Sequence, residues 1–241
     1  MNALTPRRYD YPWWRDLNRY YFRQFWDRFD PGHWERFQTR FDSPDIRSLD
    51  PLTQELFVIA IDSVVDFAEP GPDAHIHVAL DLGASVRKIY DVVNTVAEYG
   101  GVHATTRGTN ALARVVMERE RLGEPVLFAD DGAPGGARVA EHEPWMDALA
   151  QVDAARLRGI LAWRAAEGTA HELDGRTQAL IVLLVVTVRG YPAADLRFHA
   201  KRALDSGASK DEVVETIVTA GQFEGPHLME AALRAAGELL G

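Results

Sequence analysis

The chain has 241 residues, 46% of them hydrophobic, enough to bury one large core or two small ones. Lys and Arg number 26 against 36 Asp and Glu, a formal charge of −10; such a surface repels a phosphate backbone or an anionic bilayer, so neither nucleic acid nor membrane is an expected partner. Cysteine is absent, which removes disulfides, thiolate metal sites and thiol nucleophiles.

The first residues, MNALTPRRYDYPWWRD, put charge and proline where a signal peptide needs an apolar core, and no later apolar run is long enough to span a bilayer. A cytoplasmic protein is expected. Trp14, Leu17, Tyr21, Phe25 and Phe29 then recur three or four apart, a helical stripe suited to docking on the protein's own core or on another copy, so a homo-oligomer is expected.

Next come ELFVIAIDSVV, a segment holding His75, the phrase LDLGAS at 80–85, and Gly101-Val102-His103. After ERLGEPVLFADDGAPGGARVAEHEP, whose Gly, Pro and Asp mark an exposed connection, the same order returns as ALIVLLVVTV, His199, LDSGAS at 204–209 and Gly225-Pro226-His227. A shift of 124 residues aligns the two without a gap, with 18 identities over the 65 pairs from 49/173 to 113/237. The expected organisation is a first repeat with its aromatic leader over 1–118, a linker over 119–144 and a second repeat over 145–241.

Each repeat reads as helical. The run at 179–188 is ambiguous by composition, since β-branched residues favour strands and continuous apolarity carries no period. Its counterpart has Asp62 in the middle, and no hairpin turn lies nearby, so both are read as buried helices. Pro192 suits the first turn of a helix, Gly207 its left-handed C-terminus, and Ser209-Lys-Asp-Glu212 is a capping box. The first repeat has Lys88 where the box wants a carboxylate, so its cap is expected to be weaker. An all-α protein of two tandem helical bundles follows.

His199 followed by LDSGASKDEVVETIVTAGQFEG resembles the carboxymuconolactone decarboxylase family, which includes the alkylhydroperoxidase D-type peroxidases. The second repeat matches throughout; the first matches mainly through His75 and LDLGAS. The resemblance implies an all-helical oligomer with sites between helices. The peroxidase branch carries a Cys-x-x-Cys pair where this chain has Pro192 and Asp195, or Ala68 and Gly71, so cysteine peroxidase chemistry is lost. What remains is a lyase or isomerase without a cofactor, acting on a small, anionic carboxylated lactone or keto-acid-like metabolite. The third position after the acidic helix is a departure, because both repeats place a histidine there.

Such a reaction needs a dry pocket, a stabilised oxyanion and a proton delivered to carbon. His199 is the first candidate for proton transfer, with Asp195 four residues before it on the same helical face and His227 in the opposite wall. His75 and His103 are their equivalents in the first repeat; His75 has no acid four residues earlier. Glu98 and Glu224 lie close in sequence to His103 and His227, and Arg107 and Arg197 are the basic residues available to an anionic substrate, solvated surface being the competing reading for both. A metal site of His75, His103 and a carboxylate is a weaker rival, since no chelating spacing is shared by the two repeats and His75-Ile-His77 points its rings to different sides of a helix. A non-catalytic helical scaffold is the other rival.

Overall fold

The computed structural model describes residues 28–32, 48–65, 71–130, 142–167 and 172–241. The chain divides into two units, Met1–Ser48 and Leu49–Gly241. Of the aromatic stripe only Phe29 lies within the described residues, and it is exposed. Residues 131–141 of the expected linker also lie outside them.

Within Leu49–Gly241 the described residues form nine helices and no strand. In chain order these are α1 (Pro51–Val64), α2 (Gly71–Asp81), α3 (Val86–Gly100), α4 (Val102–Leu122), α5 (Pro144–Glu167), α6 (Gly175–Val188), α7 (Ala193–Asp205), α8 (Lys210–Glu224) and α9 (Pro226–Leu240). The fold is all-α, and none of these helices is long and apolar enough to cross a membrane.

The shift of 124 carries the bounds of α1 onto α6 and of α3 onto α8 to the residue, and carries the start of α4 onto that of α9. The cause is local. Asp50 and Asp174 each accept a hydrogen bond from the amide of the threonine three residues on, capping α1 and α6. Gly83 and Gly207 hold φ of 92° and 95°, a left-handed exit that side chains avoid, ending α2 and α7. Pro192 sits just before the first turn of α7 and not inside it.

The ambiguous run at 179–188 is helical because α6 is enclosed on every side. It packs on α7, α8 and α9 of its own repeat and on α1 and α3 of the other, so every residue from Thr177 to Val188 is buried and no apolar stripe is needed. Leu56, Phe57 and Ile61 of α1, Ile89 and Val92 of α3, and Leu180, Leu184 and Ile217 of α6 and α8 belong to one continuous core.

Carboxylates bind the repeats together. The Leu49 amide donates to Glu215 of α8 at 2.9 Å, and the Glu172 amide donates to Asp91 of α3 at 2.7 Å. Asp91 and Glu215 are counterparts under the shift, and their donors are offset by one residue, so a similar clasp is made in both directions. The capping box of Ser209 and Glu212 is complete. At α3, where Lys88 replaces the carboxylate, the second repeat and the connection compensate: the Ser85 hydroxyl donates to Glu172, while the Val86 and Arg87 amides donate to the Leu127 and Phe128 carbonyls at 2.8 and 2.9 Å. Two amides left over at the helix start are thereby satisfied.

Candidate functional site

His75 enters from α2 and meets α1. Its Nδ1 lies 2.7 Å from Oε2 of Glu55, and both residues are buried. A carboxylate accepting from Nδ1–H orients the ring and leaves Nε2 as the proton-carrying position. Glu55 was not singled out from sequence. The available signal was a carboxylate on a helix rich in apolar residues, opposite Ala179 in the second repeat, so the equivalent pair cannot form at His199. His77, two residues on, faces α4: its Nδ1 accepts from Nε of buried Arg119 at 3.3 Å and its Nε2 lies 3.6 Å from Glu118. Burial, followed by the Arg119 charge, pushes its pKa down.

His199 stands in the equivalent place on α7 in different surroundings. It is 2% exposed. Its ring meets the Tyr99 ring edge-on at 5.2 Å and the Phe198 ring at 5.0 Å, and its Nδ1 makes no hydrogen bond among the described residues. Burial lowers its pKa to about 4, with Glu143 opposing that shift and Arg202 adding to it. The ring is neutral at pH 7. Asp195, expected to make it an imidazolium, forms no hydrogen bond or ion pair with it, because it sits in the half-buried first turn of α7 and acts instead on Tyr191. The carboxylate that does act on His199 is Glu143.

Glu143 comes from the end of the connection, expected to be exposed, yet it is 2% exposed. Its Oε1 accepts from the Tyr99 hydroxyl at 2.9 Å and its Oε2 from Nε1 of Trp145 at 2.9 Å. The Tyr191 hydroxyl in turn donates to the Tyr99 carbonyl at 3.1 Å. Burial, the Glu143 charge and then the Glu98 charge push the Tyr99 hydroxyl well above its usual range, so it stays a donor. Tyr99 stands opposite Phe223 and Tyr191 opposite Phe67 under the shift, and these two added hydroxyls are the trace of this cluster in the sequence.

The remaining candidates lie apart. His103 and His227 are exposed in the first turns of α4 and α9, and neither makes a hydrogen bond or ion pair among the described residues. The His227 ring folds back towards Gly225, not into a wall facing His199. Glu98 is half-buried beside Tyr99, and Glu224 is half-buried at the end of α8. Arg107 donates to the Ser63 and Val65 carbonyls, closing the end of α1. Arg197 pairs with Glu238 of α9 at 2.7 Å on the surface. Among the described residues no three histidine, aspartate or glutamate side chains come together as a metal site.

Residues 151–238, covering most of α5, all of α6, α7 and α8, and most of α9, match the model of the carboxymuconolactone decarboxylase family. The second repeat thus resembles the carboxymuconolactone decarboxylase family. An uncharacterised 15.0 kDa protein from Paracoccus denitrificans, lying between nqo9 and nqo10, is 38% identical over 65 residues, which is 27% of this chain and 48% of that protein. The match thus spans about half of that relative. A crystal structure from Burkholderia xenovorans LB400, named for a gamma-carboxymuconolactone decarboxylase subunit, superposes over 96% of this chain and 92% of its own with a TM-score of 0.54 and 21% identity. At that identity the likeness is one of fold. The His199 and LDSGAS elements therefore lie in the stretch that matches the family model, and the fold is carboxymuconolactone decarboxylase-like in a chain with no cysteine to act as a nucleophile.

Proposed function

We propose that this protein is a cofactor-independent lyase or isomerase of the carboxymuconolactone decarboxylase type, acting on a small carboxylated lactone or keto-acid-like metabolite, with His75 and Glu55 as its proton-transfer pair. The observation that carries the proposal is the buried 2.7 Å contact between Nδ1 of His75 and Glu55. His199, the first candidate from sequence, has no such partner and is neutral at pH 7, a poor acid for protonating carbon.

In the decarboxylation, the electron pair of the breaking bond to carbon dioxide moves into the substrate's own unsaturated carbonyl, and a proton is then delivered to carbon. Glu55 holds the imidazole in place through Nδ1, and Nε2 supplies the proton. In an isomerisation, the same atom removes the proton from one carbon and returns it to another. The absence of cysteine from the whole chain leaves this acid/base pair in place of a sulfur nucleophile. Assembly into a homo-oligomer is part of the proposal; Val102 and Met117 of α4, 72% and 69% exposed, are apolar surface that a second copy would cover.

Carbon dioxide release from a panel of carboxylated lactones and β-keto acids tests the reaction. His75→Ala and Glu55→Gln should each lower kcat by about 10²- to 10⁴-fold while circular dichroism stays that of the wild type. Undiminished turnover by a folded His75→Ala protein would remove the pair from the mechanism.

A further inference from the structure

The second histidine position is covered by the Tyr99 and Phe198 rings, and the Tyr99 hydroxyl is held by Glu143, near the end of the connection. Ala179 occupies the place of Glu55, so nothing on α6 can pair with His199. The nearby carboxylate arrives from the connection instead. Glu143 is anchored on both oxygens, by the Tyr99 hydroxyl of α3 and by the Trp145 indole at the head of α5. Tyr99 is itself fixed through its carbonyl by Tyr191 and lies edge-on against the imidazole. The charged groups acting on this ring are Glu143 from the connection and Arg202 from its own helix, with Glu98 acting on Tyr99 from α3.

His199 is thus held by what surrounds it and not by bonds of its own. A buried ring nitrogen without a hydrogen bond is an arrangement that a packed core opposes unless neighbouring groups enforce it. Here the enforcing groups come from three elements, and Glu143 is the one atom group bonded to two of them.

We infer that Glu143 is a strap: held by Tyr99 and Trp145, it seals His199 away from solvent and substrate, and its release opens an imidazole with an unsatisfied Nδ1 at the junction of the two repeats. One chain then carries two unlike histidine positions. His75 is paired with a carboxylate of its own repeat; His199 is shut in by the connection.

Diethylpyrocarbonate, which acylates neutral accessible imidazoles, reads this directly when modified peptides of the intact protein are quantified by mass spectrometry. His103 and His227, both exposed, serve as internal standards. In the wild type His199 should react at least about tenfold more slowly than these two, and Glu143→Ala should bring it to within about threefold of them without changing the rate at His227. Should Glu143→Ala fail to fold, the paired variant Tyr99→Phe with Trp145→Phe keeps an aromatic ring at both positions, removes both of these side-chain bonds to Glu143 and should have the same effect. Rapid labelling of His199 in the wild type, or continued protection in a folded strap variant, overturns the inference. Because the readout is acylation and not turnover, a failure of the proposed reaction is distinguishable from a failure of the strap.

Discussion

His199 shows how far burial outweighs charge at a single residue. Removing an imidazole from water disfavours its charged form, and although Glu143 pulls the other way the pKa still settles at about 4, against an ordinary 6.5. The sign for stability follows. Between those two values the unfolded chain holds a proton that the folded chain does not, so stability is complete above about pH 6.5 and falls as the pH drops towards 4. The loss approaches roughly 3 kcal/mol once the ring is fully protonated. Urea midpoints taken from pH 7 to pH 4 should fall more steeply for the wild type than for His199→Phe, and parallel curves would show that this ring does not titrate as described. Gly108 poses a different residue-scale constraint. A Cβ there would stand 2.7 Å from Val93 and 2.8 Å from the Ser63 hydroxyl, so Gly108→Ala should cost about 1–3 kcal/mol by overpacking, measured as the shift in denaturant midpoint.

At the scale of elements the two repeats solve the same contact with opposite charges. Asp73 of α2 pairs with Arg114 of α4 at 2.7 Å, and the counterparts of those residues, Arg197 of α7 and Glu238 of α9, pair at the same distance with the signs exchanged. This explains why Arg197 has no basic counterpart and why it serves the packing of α7 on α9. Exposed pairs of this kind contribute little, so Arg197→Glu should destabilise by about 0.5–1 kcal/mol, and adding Glu238→Arg should recover most of it. An uncoupled double-mutant cycle would contradict the pairing. The helices themselves were legible in sequence: the aspartate caps, the glycine exits and the Ser209 box are local chemistry, and they recur wherever the same residues recur. The cap of α3 was only half legible, because Glu172 and the Leu127 and Phe128 carbonyls reach it from far along the chain.

For the whole unit, Leu49–Gly241, the repeats share one core and hold each other through Asp91 and Glu215, so they should melt together. Calorimetry should give a single transition, and replacing Asp91 or Glu215 with alanine should lower its midpoint without splitting it; two separated transitions would mean that the repeats are independent domains.

By itself, the sequence determined the helical class, the duplication, the register of 124 residues, the loss of sulfur chemistry and the family that the second repeat resembles, since capping, periodicity and residue identity act over a few neighbours. Only the tertiary structure decided which histidine has a carboxylate. Glu55 reaches His75 from another helix, Asp195 shares a helix with His199 without bonding to it, and Glu143 arrives from the connection. Hydrogen bonds of that kind depend on how helices cross, and burial, which fixes the charge of an imidazole, is a property of everything packed around it.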